Sequence, residues 1–193
     1  IYPGPTSFLF EVGLCVALYL TVLAIEFSPA LWETLRWKKL RFWAHSLTLV
    51  LTIFGVVLST LHQSSLGGLY MIAPSKLHPL WYSPYLAVFF FISSIPAGLS
   101  MVIFEGGLSH KFLHHKMDET HLEEAPGVTL GFAKAAAVVL FGYFNLKWIG
   151  VALDNNWHHL TTGWGAWFLV EMLGFVLLPC LMYAIAAREK NQK

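Results

Sequence analysis

Eight ionisable side chains lie within long apolar stretches of this sequence, where a charge needs either a partner or a function. They are Glu11, Glu26, His45, His62, Glu105, Lys134, Lys147 and Glu171. A charged side chain inside a membrane-spanning helix costs at least about 2.5 kcal/mol on insertion scales. Counted at about 1.5 Å of rise per residue, these residues fall into two layers, one near each end of the predicted helices.

The first layer combines a base, an ammonium group and two carboxylates from four predicted helices. Its members are Glu11, His62, Lys147 and Glu171, and Gln63, Ser64, Ser65 and Tyr70 follow His62 in a Gly/Ser-rich stretch. If the helices bring these groups together, they form a polar pocket that opens to the lipid, which suits the head group of a quinol. Because quinol oxidation releases protons as well as electrons, it requires a proton acceptor, and the imidazole of His62 is the best candidate.

Lys147 admits two interpretations. Its ammonium group would either stabilise negative charge that develops on the quinol oxygen or neutralise a neighbouring carboxylate. In the second case, an ion pair of Lys147 with Glu11 or Glu171 fixes helix packing and has no chemical role. The sequence leaves both interpretations open for each residue alone, and four such groups beside one Gly/Ser-rich stretch favour the functional one.

Glu26 and Glu105 represent the second layer, near the opposite ends of their helices. They predict a half-channel that passes protons to or from the pocket. The alternative is that these side chains reach the membrane surface or cap helix ends without a function.

The composition is that of an integral membrane protein. Of 193 residues, 56% are hydrophobic and only 12% are charged, with 8 Trp, 7 Tyr and 15 Phe available for interfacial aromatic belts. The net charge of +1 gives no sign of a nucleic-acid surface. Cys15 and Cys180 lie in apolar runs without a Cys-x-x-Cys partner, which predicts core residues and provides no ligand set for an iron–sulfur cluster.

Five apolar stretches are long enough to cross a bilayer as helices, which takes about 20 residues. They cover residues 7–27, 42–61, 81–104, 130–153 and 164–187. Because the runs are continuous and do not alternate, they predict an all-α, polytopic transmembrane bundle forming a single domain over residues 1–193. The chain begins at Ile1 without a Met, so we expect it to be part of a longer, eight- to ten-helix protein.

The segments between the helices predict an orientation. Nine lysines and arginines fall on one side and only Lys76 on the other, so we expect the N-terminus outside and the C-terminus inside. The first helix is predicted to stop at Ser28-Pro29. On the outer side, residues 63–79 are predicted to form a functional loop because they contain Gly67-Gly68 and several prolines.

The inner loop, predicted over residues 106–129, is rich in histidines and acidic residues. Its histidines are His110, His114, His115 and His121. A zinc site is conceivable there, but the spacing matches no strong ligand motif, and a solvated charged loop is favoured.

Haem ligation is disfavoured by the position of the histidines. Only His45 and His62 lie within or at the end of a predicted spanning helix, and they are on the same helix, about 25 Å apart. Axial ligation of a b-type haem requires histidines on facing helices. The sequence therefore predicts a haem-free subunit whose electrons pass through a centre in a partner protein.

Several short runs resemble the polysulfide reductase membrane subunit family, often called NrfD/PsrC. They are His62-Gln-Ser-Ser-Leu-Gly67, His78-Pro-Leu-Trp81, Ile103-Phe-Glu-Gly106, Leu23-Ala-Ile-Glu-Phe-Ser-Pro29 and Phe168-Leu-Val-Glu-Met-Leu173. The closest similarity is to the HybB branch, the membrane subunit of periplasm-facing nickel–iron hydrogenases. The resemblance implies a haem-free protein that exchanges electrons between menaquinol, or another quinol, and a periplasmic iron–sulfur or cytochrome partner. At Lys147 the family would have arginine, and lysine keeps the charge but loses the planar fork.

These observations lead to one principal hypothesis: a quinone-reactive membrane subunit of a respiratory oxidoreductase, without a redox centre of its own. His62 is the predicted proton-exchanging ligand of the quinone, and Glu26 and Glu105 are the predicted proton relay. The other candidate quinone-binding residues are Gln63, Ser64, Ser65, Glu11, Tyr70, Trp81, Lys147 and Glu171. No metal ligand is predicted.

The expected partners are a periplasmic iron–sulfur electron-transfer subunit and a hydrogenase-like catalytic subunit, together with quinone and membrane lipids. The expected location is the cytoplasmic (inner) membrane of a bacterium or archaeon. One alternative is the membrane subunit of a sulfur-compound reductase or another quinone-linked complex. Another is a proton-translocating or purely structural anchor that has no quinone site.

Overall fold

The computed structural model describes residues 4, 7–34, 38–113 and 119–191, and helices account for almost all of them. The helices are α1 (Phe8–Thr34), α2 (Lys38–Met71), α3 (Leu86–Leu113), α4 (Glu119–Leu153), α5 (Gly163–Leu169) and α6 (Leu178–Asn191). A π-helical segment, Val170–Leu177, joins α5 to α6, and 3-10 turns occupy Pro74–Lys76 and Asn156–Thr161.

Five segments are long and apolar enough to cross a membrane, and no strand occurs among the described residues. They are Phe8–Pro29, Ser46–Met71, Leu86–Phe112, Ala125–Leu153 and Gly163–Glu189. The prediction of an all-α, polytopic bundle with five spanning helices is thereby confirmed.

The predicted end of the first helix at Ser28-Pro29 is wrong, because α1 continues through Pro29 to Thr34. A proline inside a helix removes one backbone hydrogen bond, and nearby hydroxyls commonly satisfy the freed carbonyl groups in membrane helices. Ser28 Oγ donates to the carbonyl of Ile25 at 2.7 Å. The helix therefore passes through a residue that would end it in water.

The predicted outer loop over residues 63–79 is also shorter than expected, because α2 extends to Met71. Gly67 and Gly68 serve close packing and do not form a turn. A Cβ atom on Gly67 would lie 2.6 Å from the Cα of Ala87, and one on Gly68 would lie 2.7 Å from the ring of Phe8. Small residues in membrane helices allow such close approaches.

At the other end, α3 reaches Leu113 and α4 begins at Glu119, so most of the predicted inner loop is helical. His114 and His115 lie outside the described residues, as does the side chain of His121. The possible zinc ligands of this loop therefore remain a sequence prediction.

The chain divides into two compact units. The first unit comprises residues 1–74 and 85–91, that is, α1, α2 and the beginning of α3. Here α1 packs along α2, and a Cβ on Gly55 would be in ordinary contact with Val22 at 3.5 Å. Cys15, 7% exposed, and Val22 are among its buried residues.

The second unit comprises residues 75–84 and 92–193 and has its own apolar core. The core consists of Leu80, Leu140, Val151, Phe168, Met172, Val176 and Cys180. Phe168 and Met172 are completely buried, and Cys180 donates through Sγ to the carbonyl of Ala137 at 3.3 Å. Both cysteines are thus buried, as the sequence predicts.

The contact at Gly67 yields a test of the first unit's packing. Gly67→Val should destabilise the protein by about 1–3 kcal/mol, because the added carbon atoms clash with backbone atoms of α3 that cannot rotate away. Thermal unfolding of the purified protein in detergent measures this loss. Gly131→Val is the matched control, since a Cβ there meets nothing within 4 Å. Equal stability of the two variants would contradict the packing role.

Candidate functional site

His62 stands out in the first unit because one of its ring nitrogens has no hydrogen-bond partner in the described part of the chain. The residue is half-buried on α2, and its Nδ1 atom is fully buried without a hydrogen bond among the described residues. Buried polar side-chain atoms nearly always have a hydrogen-bond partner, and each exception calls for an explanation. A bound molecule with a hydrogen-bonding oxygen would supply the missing partner.

The residues after His62 are helical and therefore point in different directions. Ser65 lies one turn further along on the same face and is only 5% exposed. Gln63 and Ser64 are half-buried on other faces of α2. Tyr70 is exposed, and its ring lies 6.0 Å from that of Phe90. Of the predicted quinone-binding run, Ser65 thus shares most closely the surroundings of His62.

The two glutamates of α1 differ in their surroundings. Glu11 is exposed in the first turn, where a negative charge interacts favourably with the helix dipole. Glu26 is half-buried and accepts a hydrogen bond from Thr52 Oγ1 at 2.8 Å, which connects α1 to α2. The two glutamates lie near opposite ends of α1, and their assignment to separate functional layers stays a prediction.

In the second unit, Glu171 is held by an indole group. It lies in the π-helical segment, and Trp81 Nε1 donates to Glu171 Oε2 at 2.5 Å. The Trp81 ring also makes edge contacts with Phe168 and His78, at centroid distances of 5.6 and 5.8 Å. π-helical segments occur frequently at functional sites. The polar edge of Trp81, predicted to contact quinone, is directed to a carboxylate.

Lys147 is buried near this carboxylate. It is 6% exposed, and Glu171 interacts with it electrostatically. Its Nζ atom lies 6.0 Å from the centre of the Tyr143 ring, one helical turn earlier on α4. Of the two carboxylates considered from the sequence, Glu171 is the one whose charge acts on Lys147, and an ion pair between them stays a prediction. Glu105 and Lys134, from the second layer, are exposed on α3 and α4.

A cavity of about 400 Å³ opens beside Glu171. It is lined by Ser93, Pro96, Ala97, Ser100, Leu140, Tyr143, Glu171, Phe175, Val176 and Pro179. On one wall, Tyr183 donates its hydroxyl hydrogen to Ser100 Oγ at 2.8 Å. Sequence reasoning missed all of these residues except Glu171. The spacing of Tyr143 and Lys147, four residues apart on α4, is the one signal that points to Tyr143.

Aromatic and histidine side chains surround the turn that carries Trp81. The rings of His78 and His159 lie 5.1 Å apart, and those of His158 and His159 lie 3.9 Å apart. Partial desolvation lowers the pKa of His159 from its ordinary value, and the nearby imidazoles of His158 and His78 lower it further. No group of three metal-binding side chains is found in the described part of the chain.

A second buried nitrogen without a hydrogen bond from the described residues lies beside the apolar core of the second unit. Trp148 Nε1 has no hydrogen bond among the residues that the structure describes. Its ring stacks on Trp157 at 6.0 Å and contacts Phe168 edge-on at 6.0 Å. Neither the residue type nor the position of Trp148 identified it in the sequence as a candidate site residue.

Comparisons with known proteins identify relatives in two bacteria. A protein of Nitratidesulfovibrio vulgaris is 70% identical over 97% of this chain, which aligns with 48% of that protein. The menaquinone reductase integral membrane subunit of the same organism is 26% identical over 96% of the chain and 48% of its own length. The probable Ni/Fe-hydrogenase 2 b-type cytochrome subunit of Escherichia coli is 42% identical over 53% of the chain and 26% of its own length.

The chain thus spans about half the length of two of these relatives. No solved structure is detectably similar to it. The model of the polysulphide reductase NrfD family matches residues 1–193, the full length of the sequence. The chain therefore belongs to the NrfD family of membrane proteins, related to membrane subunits of respiratory redox complexes.

Proposed function

We propose that this chain is the quinone-reactive, haem-free part of the membrane subunit of a respiratory oxidoreductase. The observation that carries the proposal is the buried Nδ1 atom of His62, which has no hydrogen-bond partner among the described residues. A quinol hydroxyl or a quinone carbonyl oxygen would supply the missing hydrogen bond to this atom. The name of one relative, a menaquinone reductase membrane subunit, makes menaquinone the favoured quinone.

The proposed reaction requires no redox group in this chain, because a partner subunit accepts the electrons. When a quinol is oxidised, its two O–H bonds break, two protons leave and two electrons pass to an iron–sulfur or cytochrome centre of a partner subunit. His62 accepts the first proton, and the Ser65 hydroxyl, on the same face of α2, contributes a hydrogen bond. Reduction of a quinone follows the same route in reverse.

The other candidate residues are proposed to shape or tune the quinone site. In the first unit, Gln63, Ser64 and Tyr70 would shape the site and the charge of Glu11 would tune it. In the second unit, Lys147, Glu171 and Trp81 stay candidate quinone-binding residues by their sequence motifs, with Trp81 hydrogen-bonded to Glu171. Glu26, hydrogen-bonded by Thr52, and Glu105 would relay protons at the opposite end of the helices. These assignments extend the His62 proposal and depend on it.

The distribution of histidines supports a haem-free subunit even though one relative's name includes b-type cytochrome. Within each compact unit, the described spanning segments contain a single histidine, His62 in the first and His110 in the second. A bis-histidine haem needs two imidazoles on facing helices of the bundle. Neither unit offers such a pair among its described residues.

Two classes of partner complex agree with the relatives. A nickel–iron hydrogenase, with its periplasmic iron–sulfur subunit, is favoured by the similarity to the E. coli hydrogenase subunit and by the sequence motifs. A menaquinone-reducing complex is the alternative, because another relative bears that name. Isolating the intact complex and identifying its subunits by mass spectrometry distinguishes the two.

A structural anchor without its own quinone site is a second candidate function. The contacts Trp81–Glu171 and Thr52–Glu26 favour it, because each satisfies a carboxylate without any ligand. An anchor would leave the buried Nδ1 atom of His62 without a hydrogen bond from any described residue, whereas a bound quinone would supply one.

The role of His62 gives a direct prediction. His62→Ala in the intact complex should lower quinone-linked turnover by at least tenfold, while subunit assembly and activity with an artificial soluble dye stay normal. The dye accepts electrons without using the quinone site. His110→Ala is the control, because His110 lies on α3 and is not assigned to the site. Unchanged quinone turnover in His62→Ala would reject the assignment.

The proposed orientation, with the N-terminus outside the cytoplasmic membrane and the C-terminus inside, gives another prediction. In a protein without Cys15 and Cys180, Lys76→Cys should react with a membrane-impermeant maleimide added to intact spheroplasts. Lys111→Cys should react only after the membrane is permeabilised. Both side chains are exposed, so access depends on the side of the membrane. The reverse labelling pattern would overturn the orientation.

A further inference from the structure

Three histidine side chains meet where two turns of the second unit come together. His78 begins the turn that carries Trp81, and His158 and His159 belong to the 3-10 turn Asn156–Thr161. The ring centres of His78 and His159 lie 5.1 Å apart, and those of His158 and His159 lie 3.9 Å apart. All three residues lie between spanning segments and are exposed or half-buried, so protons from the aqueous phase can reach them.

His78 stabilises its turn through a ring nitrogen that must stay unprotonated. Its Nδ1 atom accepts a hydrogen bond from the backbone N–H of Leu80 at 3.4 Å. Its carbonyl accepts from the N–H groups of Trp81 and Tyr82 at 2.9 and 3.1 Å. In a protonated imidazole both ring nitrogens are donors and neither can accept. Protonation of His78 on Nδ1 therefore breaks the contact with Leu80 and places two N–H groups against each other.

The opposite turn is fixed through its backbone. The carbonyl of His159 accepts hydrogen bonds from the N–H and the hydroxyl of Thr162, at 3.2 and 2.6 Å. A Cβ atom on Gly165 would lie 2.4 Å from the same carbonyl oxygen, so α5 packs tightly against it. The Asn156 amide donates to the carbonyl of Pro79 at 3.3 Å and joins the two turns. Repulsion between charged imidazoles is therefore relieved by movement of the turn that carries Trp81.

The charges around His159 favour its neutral form. Partial desolvation lowers the pKa of His159 from its ordinary value of 6.5, and the imidazoles of His158 and His78 lower it further. Protons therefore bind more tightly when the two turns are apart. The closed arrangement is fully favoured above about pH 6.5 and loses stability as the pH falls below that value. The other titratable groups on the adjoining turns and helix ends are Lys76, Tyr82, Asp154 and, beyond Trp81, Glu171.

The turn that begins at His78 also places a hydrogen-bond donor on Glu171. Trp81 Nε1 donates to Glu171 Oε2 at 2.5 Å, and the Trp81 ring contacts the rings of His78 and Phe168 edge-on. Leu80, whose N–H is bound by His78, is 4% exposed and belongs to the apolar core. A shift of this turn therefore moves the indole relative to the carboxylate.

We propose that His78 and His159 form an acid-sensitive contact, which keeps Trp81 on Glu171 when both imidazoles are neutral and releases it when they are protonated. The inference goes beyond the proposed function, which assigns no role to either histidine, and it does not depend on quinone binding. On acidification, His78 loses the hydrogen bond from Leu80 and the two charged rings repel each other. The surroundings of Glu171 thus respond to the pH of the aqueous phase beside the two turns.

NMR of the indole N–H groups tests the proposal in the intact, full-length complex, labelled with ¹⁵N-tryptophan and placed in lipid. Trp81→Phe identifies the Trp81 signal, and Glu171→Leu gives its position without the acceptor. As the pH falls from about 7.5 to about 5.5, the range in which imidazole titrates, the wild-type signal should move at least halfway to the Glu171→Leu position. A signal that stays constant over this range would overturn the proposal.

Substitutions of His78 separate its titration from its structural role. His78→Asn removes the titrating ring but keeps an acceptor, because an asparagine side chain can bind the N–H two residues further on. Its Trp81 signal should stay at the neutral-pH position throughout. His78→Leu removes the acceptor and should give the acid position at every pH. If His78→Leu does not assemble, the comparison of His78→Asn with the wild type still decides.

Two further variants test the partner imidazole and the specificity of the response. His159→Gln removes one of the two charges and should reduce the pH-dependent change by at least half. His110→Gln, at an exposed position on α3 outside the cluster, is the matched control and should keep the full response. A full response in the double variant His78→Asn, His159→Gln would overturn the proposal, because Glu171 itself would then be the group that takes up the proton.

Discussion

The hydrocarbon interior of a membrane offers no hydrogen bonds, so polar groups in a spanning helix must be satisfied within the protein. The described helices follow this constraint closely. Thr21 and Thr60 donate to carbonyls one turn earlier, at 2.8 and 3.1 Å, and the Asn145 amide does so at 2.7 Å. Two buried nitrogen atoms in the described part of the chain, His62 Nδ1 and Trp148 Nε1, are exceptions, and the proposed function supplies a hydrogen-bond partner for the first.

The buried charges of the second unit are better understood as a functional feature than as a source of stability. Removing two charges from water costs several kcal/mol per ion, and replacing a buried pair with apolar residues is often neutral or stabilising. Lys147, which is 6% exposed, and the half-buried Glu171 therefore contribute little to the net stability of the fold. Removing the Glu171 carboxylate alone would nevertheless be destabilising, because the buried Lys147 ammonium group would lose a nearby negative charge.

Much of the fold could be predicted from the sequence because membrane-spanning helices depend on local composition. The five spans and the buried cysteines followed from hydropathy. The sequence offered Glu11 and Glu171 alike as neighbours of Lys147, and tertiary packing decides between them. The helix ends could not be placed in the same way. In a water-soluble protein, Pro29 and Gly67 would indicate a helix end or a turn. Here both lie inside helices, and Gly67 allows close packing.

The candidate site was predicted in part. His62 was identified because imidazole is rare and conspicuous in an apolar stretch. The hydrogen bond from Trp81 to Glu171 joins residues 90 positions apart, and the cavity walls come from three separate elements. Such contacts depend on tertiary packing, and no local sequence pattern predicts them. The π-helical segment likewise has no known marker among residues 170–177.

The claim that a quinone oxygen completes the hydrogen bonding of His62 can be tested by nitrogen NMR. The complex, labelled with ¹⁵N-histidine and placed in lipid, is measured with and without bound quinone, and His62→Gln identifies the resonance. The account predicts that the Nδ1 signal of His62 shifts when quinone binds and returns when an inhibitor displaces it. An Nδ1 signal that stays constant while the same sample turns over quinone would contradict it.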